Sequence, residues 1–231
     1  MRPVPGPGET LMPRSSSVQS IRRPESLTDL VAAKIRKAIV EGDFALGQPI
    51  SETMLSELYD ISKTPIKIAL VQLRMEGLVE IYPQKGSYVF TATPDDVLQL
   101  VEWRAANEEA ALQAAYSRNK ETLIATLSET YAQMCRARDK RDVAEAYALD
   151  AEFHRCIVLC SNNKYLMNAY ATNIHKMNAL LFRLGSTPWE NNDRFEEHNA
   201  IISALQADKP HHAKSLLSVH IEHLCENAQS L

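Results

Sequence analysis

Ser51-Glu52-Thr53-Met54-Leu55-Ser56-Glu57-Leu58-Tyr59-Asp60-Ile61-Ser62-Lys63-Thr64-Pro65-Ile66-Lys67-Ile68-Ala69-Leu70-Val71-Gln72-Leu73 decides the fold, together with Glu76-Gly77-Leu78-Val79 and Lys85-Gly86-Ser87-Tyr88-Val89 behind it. Leu55 and Leu58 give a short helix an apolar edge. Ser62 or Thr64 is expected to cap the next helix, with Pro65 in its first turn, where proline is tolerated. Ile66, Ala69, Leu70 and Leu73 recur at helical spacing and should face inward. Gly77 suits a left-handed cap at the end of that helix. Residues 78–82 and 87–90 read as strands joined through Pro83-Gln84-Lys85-Gly86. Helix, tight turn, helix and hairpin make a winged helix-turn-helix, a device that sets one helix into the major groove of DNA.

Lys63, Thr64 and Lys67 fall near the start of the second helix, away from its core face. They are the candidate groove contacts. Lys85 and Gly86 sit at the hairpin tip, where glycine lets the backbone come close to phosphate. Residues 26–91 hold seven Lys or Arg against eight Asp or Glu, so any positive face is local. It is expected to use Lys63, Lys67 and Lys85, with Lys34, Arg36 or Lys37 as further candidates.

Residues 1–25 read as a disordered tail, with five of the eleven prolines and Ser15-Ser16-Ser17. Such a segment buries too little apolar surface to offset its ordering entropy. The winged helix is expected over 26–91 and a second domain over 92–231. The net charge of -4 does not by itself announce a nucleic-acid partner. There is no secretory signal and no apolar run long enough to cross a membrane, so a cytoplasmic location is expected. Cys135, Cys156, Cys160 and Cys225 form no Cys-x-x-Cys pair and read as buried free thiols.

From Pro94 onward the chain reads as an all-α antiparallel bundle of about six helices. Breaks are expected at Arg118-Asn119, Lys140-Arg141-Asp142, Ser161-Asn162-Asn163, Gly185-Ser186-Thr187-Pro188 and Asp208-Lys209-Pro210. Short connections favour antiparallel neighbours. Asp150 and His154 stand one helical turn apart on one face, a spacing that lets both grip one ion. His198 lies among Ile201, Ile202 and Leu205, and His220 among Leu216, Leu217 and Leu224. One carboxylate and three imidazoles from three helices suit a divalent first-row metal. Each histidine alone is more often a surface or satisfied core residue. His223 is the one credible substitute ligand, and Glu152 points to a different face.

The residues from about Leu27 to Val89 resemble the GntR family of bacterial transcription regulators. Val31, Ile35 and Ile39 make its first core stripe, and Glu41-Gly42-Asp43-Phe44 with Leu46-Gly47-Gln48-Pro49-Ile50 make its link into the next helix. The chain departs from the family where arginines are typical at Lys63 and Lys67, glutamate at Ile68, and often arginine at Thr53. Lysine is a point donor and lacks arginine's two-pronged contact with guanine. Asp150, Phe153-His154-Arg155, Asn163 through Leu166, Glu197-His198 and His220-Ile221 resemble the FCD ligand-binding domain of the FadR subfamily. The short link after the wing resembles its six-helix branch.

That resemblance implies a homodimer on a short inverted repeat and a divalent metal (zinc, nickel, manganese or iron) at Asp150, His154, His198 and His220. It also implies a small carboxylic-acid effector, with Arg104 turned into the cavity to meet it. The plain alternative for Arg104 is a surface salt bridge with Glu108, one turn on. Asn107 departs from the usual apolar residue. A repressor role is what the family's commoner mode implies. Two other functions stay open at this stage. One is a metal-dependent helical enzyme, though no general base or nucleophile motif accompanies the ligands. The other is a DNA-binding dimer whose metal is purely structural.

Overall fold

The computed structural model describes residues 26–185, 190, 192–223 and 225, so the expected tail over 1–25 lies outside the described residues. The first helix, α1 (Leu27–Val40), is capped by Ser26, whose side chain accepts from the Asp29 N–H. It buries Val31, Ala32, Ile35, Ala38 and Ile39. Ser51 caps α2 (Glu52–Tyr59), which ends on Asp60 in the left-handed region. Helix α3 (Lys63–Met75) buries Ile66, Ala69, Leu70 and Leu73, the four residues whose spacing required it. The expected cap takes a different form. Ser62 holds the N-cap position in extended backbone but makes no side-chain capping bond, and Thr64 lies inside the helix.

Gly77, at φ 71°, closes α3 with a two-bond left-handed stop. Its N–H donates to Arg74 O at 3.0 Å, and the Leu78 N–H donates to Leu73 O at 2.9 Å. The wing follows as β1 (Val79–Tyr82) and β2 (Gly86–Val89), antiparallel, in register from Val79↔Val89 to Tyr82↔Gly86. The chain at 47–50 runs along the other edge of β2: Val89 N–H donates to Gln48 O at 2.9 Å and Ile50 N–H to Ser87 O at 2.8 Å. Both edges of this short strand are therefore covered.

Thr93 and Asp96 form a reciprocal capping box at the start of α4 (Pro94–Lys140). This 47-residue helix bends at Asn119 (φ -143°, ψ 42°), where a break was expected. The bend serves α5 (Val143–Cys160): Asn119 Nδ2 donates to Cys160 O and Arg118 Nη1 to Ser161 O, each at 2.8 Å. Those carbonyls end α5 and would otherwise lack partners. Then come α6 (Lys164–Leu184), α7 (Asn192–Gln206) and α8 (Pro210–Glu222). With the two arms of α4 counted apart, the bundle has six helical segments among the described residues. Helix α4 touches each of the other four bundle helices, so it forms the floor on which they converge. No helix of the described residues is long and apolar enough to cross a membrane.

The bundle grips the winged helix through α6. Arg183 donates from Nη2 to Ile39 O at 2.8 Å and to Phe44 O at 2.9 Å, capping the C-terminus of α1. Beside it, Arg36 forms a two-pronged pair with Glu76, both contacts at 2.7 Å. That removes Arg36 from the candidate positive face, because its fork is spent tying α1 to the end of α3.

Candidate functional site: a four-ligand cluster and a nucleic-acid face

Helix α5 projects Asp150 and His154 from successive turns; α7 supplies His198 and α8 supplies His220. One ligand atom from each lies within 4.8 Å of the other three. His154 Nε2 stands 3.2 Å from His220 Nε2, and His198 Nε2 stands 3.2 Å from Asp150 Oδ1. His154 and His198 are buried, while Asp150 and His220 keep a slight exposure.

The other ring nitrogens decide what these four can do. His154 Nδ1 lies 2.6 Å from Glu108 Oε2 on α4. His220 Nδ1 lies 2.8 Å from Glu197 Oε2 on α7, and His198 Nδ1 lies 3.0 Å from the carbonyl oxygen of Phe195. Carboxylate and carbonyl oxygens only accept, so each Nδ1 carries its proton. Each neutral ring then turns a bare Nε2 lone pair toward the same point. Two such lone pairs facing each other at 3.2 Å repel unless a cation or proton lies between. His198 Nε2 is buried without any hydrogen-bond partner. An orphaned acceptor, two opposed lone pairs and a carboxylate fit a divalent metal, whose ligand atoms stand at most about 4.4 Å apart at bonds of 2.0–2.2 Å. Among the described residues, Asp150, His154, His198 and His220 would hold it.

His154 and His220 are pushed toward their neutral forms and Asp150 toward its ionised form. Burial pushes His154 down, with Arg104 adding to it and Glu108 opposing. Burial, then His198 and His154, push His220 well below its ordinary value. Burial alone would raise Asp150, but His198, His154 and His220 around it hold it well below the usual carboxylate range.

Arg104 is almost fully buried and its Nε–H donates to Glu108 Oε1 at 2.8 Å. The ion pair with Glu108 therefore exists, but in the interior and not on the surface. Glu108 thereby links two site residues: one oxygen holds Arg104 and the other orients His154. Burial would raise its pKa, and His154 with Arg104 hold it below the ordinary value. Asn107 is buried as well, donating from Nδ2 to Leu166 O at 3.3 Å and leaving its Oδ1 without a partner.

Three further residues belong to the site without having been assigned a role in it from the sequence: Glu108, Glu197 and Tyr170. Glu108 stands one turn from Arg104 and Glu197 next to His198, which was the available signal. Tyr170 on α6 stacks against Trp103 at 6.0 Å between centroids, and its buried hydroxyl has no hydrogen-bond partner. Burial, then Glu108, push that hydroxyl well above its usual pKa, so it stays a donor. His223 does not join the cluster; its Nδ1 lies 3.2 Å from Glu197, which it shares with His220. Glu152 turns away and pairs with Arg155 at 2.6 Å. His211 and His212 are exposed at the start of α8. All four cysteines are free, and burial, with Glu152 next to it, pushes the Cys156 thiol up to about 11.

The candidate nucleic-acid face lies on the winged helix. Lys63, Thr64 and Lys67 are exposed on the first turns of α3, opposite its core stripe. Lys85 and Gly86 are exposed at the wing tip. Gly86 has φ 107°, and Gln84 before it φ 63°. The Tyr88 hydroxyl donates to Lys85 O at 3.1 Å and steadies this turn.

A winged helix-turn-helix joined to an all-α bundle defines a two-part DNA-binding regulator. The pattern of bacterial regulatory proteins of the gntR family matches residues 27–89, and that of the FCD domain matches residues 99–223. The chain belongs to the GntR family and carries an FCD domain. It is 29% identical over 199 residues to the "Probable D-xylose utilization operon transcriptional repressor" of Paenarthrobacter nicotinovorans, covering 83% of this chain and 85% of that one. It is 25% identical over 201 residues to the HTH-type transcriptional repressor RspR of Escherichia coli, covering 85% and 86%. The solved structure of E. coli McbR/YncC shares the fold with a TM-score of 0.76 at 20% identity, covering 86% of this chain and 94% of that one. This protein is a DNA-binding transcriptional regulator and not an enzyme.

Proposed function

We propose that the protein is a homodimeric repressor whose hold on a short inverted repeat is released by a small carboxylic acid. Asp150, His154, His198 and His220 hold a divalent transition metal, and the acid binds beside it with Arg104 and Tyr170. The observation that carries this reading is the convergence of Asp150 and three imidazoles on one point, each ring with its Nδ1 against an acceptor oxygen.

Charge supports an effector that depends on the metal. Asp150, Glu108 and Glu197 bring three formal negative charges, and Arg104 brings one positive. Without an ion the site is net negative and repels an anion. A divalent ion brings it to about neutral and, when bound, supplies a fixed positive charge for a carboxylate. Arg104 has one N–H committed to Glu108, so its Nη hydrogens serve the acid. The Tyr170 hydroxyl is a second donor.

Helix α6 supports a route from site to DNA. Tyr170 lies near its start and Arg183, which caps α1, near its end. An acid that prefers one setting of α6 shifts the winged helices of the dimer between two arrangements. On the DNA side, Lys63, Thr64 and Lys67 enter the major groove, and Lys85 with Gly86 meets phosphate. Two copies about a two-fold axis explain an inverted repeat.

The test uses duplexes selected from a random library by the full-length protein. Organic and sugar acids are expected to release the selected duplex from metal-loaded protein and not from chelator-stripped protein. Equal release from both, or turnover of an acid, contradicts the reading.

A further inference from the structure

The exposed side of α3 is divided lengthwise. At about 100° per residue, Lys63, Lys67 and Arg74 fall on one edge of the exposed arc. Thr64, Ile68, Val71 and Met75 fall on the other. Ile68, Val71 and Met75 are 53%, 39% and 78% exposed. They are not overflow from the core, because Ile66, Ala69, Leu70 and Leu73 already fill the inward arc. Single exposed apolar residues need no explanation, but three at i, i+3 and i+7 form a stripe. Isoleucine and valine gain nothing there from helix propensity.

The stripe is continuous with the face that meets DNA. Thr64 and Ile68 are one turn apart on the same edge, and Lys67 lies beside them. The N-terminal turns of the second helix in this motif are the ones that reach base edges. Acceptor edges of the bases suit the lysine edge. The one apolar group on the floor of the major groove is the C5-methyl of thymine. Ile68 and Val71 differ in height along the helix by about 4.5 Å. That is near the ~3.4 Å step between base pairs.

We infer that Ile68, with Val71 beside it, is a specificity-determining residue that packs against thymine methyls in each half-site. The inference rests on the reading above that α3 enters the groove by its N-terminal turns. Cytosine at the same place is rejected twice: it has no methyl, and its amino group would be left unpaired against an alkyl side chain.

Duplexes selected by the full-length protein provide the probe. Thymines of the half-site are replaced one at a time by deoxyuridine, which removes only the methyl. Loss of one buried methyl is expected to weaken binding about fourfold, at one or two positions per half-site. In Ile68→Ala the uracil penalty at one of those positions should vanish, while the salt dependence stays that of the wild type. A uracil scan with no sensitive position overturns the inference, and so do penalties unchanged in Ile68→Ala. Slower sedimentation of DNA-free Ile68→Ala than of the wild type also overturns it, since the stripe would then belong to a contact between copies. Lys67→Ala separates this inference from the reading beneath it. If that variant binds the selected duplex like the wild type, α3 is not in the groove and both fail. If it binds more weakly while uracil has no effect, only the methyl assignment fails.

Discussion

Replacing Glu108 by glutamine tests the inner structure of the site. Glu108 is fully buried, with His154 Nδ1 at 2.6 Å on one oxygen and Arg104 Nε at 2.8 Å on the other. Glutamine keeps the volume and one accepting oxygen. Its amide nitrogen then faces a donor, and the charge that balances buried Arg104 is lost. Breaking a buried pair on one side costs about 3–5 kcal/mol. A whole domain is typically stable by only about 5–15 kcal/mol, so the effect is large. Loss of the partner that orients a ligating imidazole lowers metal affinity about 10- to 100-fold. Denaturant unfolding of chelator-stripped protein reads the first quantity, and competition with a chromophoric chelator reads the second. Glu108→Gln combined with Arg104→Met removes both charges and should recover much of the stability but not the metal affinity. If Glu108→Gln changes neither quantity, the carboxylate neither balances Arg104 nor orients His154. The same contacts make Arg104→Ala a poor probe of effector binding alone, because it also loosens the partner of His154.

Three further perturbations address the DNA face and the coupling between the two parts. Lys67→Ala is expected to cost about 1–3 kcal/mol on a selected duplex and little on random DNA, read by fluorescence anisotropy. Lys85→Ala should weaken both alike and lower the salt slope by about one. Arg183→Met removes the cap from the end of α1 and should cost about 1.5–3 kcal/mol of stability. It should also keep acid binding while blunting acid-driven release of DNA, read by calorimetry beside anisotropy. His175 on α6 lies near the Arg36–Glu76 pair, pushed down by burial and then by Arg36, with Glu76 opposing. Its unfolded value is about 6.5, so below that pH the unfolded chain takes up a proton before the folded one does. Stability should be intact above about 6.5 and decline as pH falls through it, and denaturant melts of His175→Gln should show a shallower decline.

What the sequence reveals follows the range of the interactions. The winged helix was legible because its signals are local: apolar spacing in α3, Gly77 at its stop, and Lys85-Gly86 at the turn. The bend at Asn119 was legible too, since Arg118-Asn119 interrupts a helical pattern. Spacing alone links Asp150 only to His154; bringing His198 and His220 to them needed the family resemblance. What escaped is long-range. Glu108 reaches His154 across 46 residues and Glu197 reaches His220 across 23, and no periodicity records such pairs. The pair of Arg104 with Glu108 was visible as a one-turn spacing, but its burial beneath α5 and α6 was not. Arg36 reads in sequence as a candidate for the positive face, but Glu76, 40 residues away, holds it. Asn107 likewise became intelligible only once Leu166 O stood opposite its amide.

The most direct test of the central claim is metal content per chain. Chelator-stripped wild-type protein is titrated with zinc, nickel, manganese and ferrous iron, dialysed, and analysed for bound metal beside His198→Ala. One equivalent per chain for at least one metal, with a rise in melting temperature that His198→Ala lacks, is the predicted result. No retained metal in the wild type, or one full equivalent retained equally by His198→Ala, contradicts it.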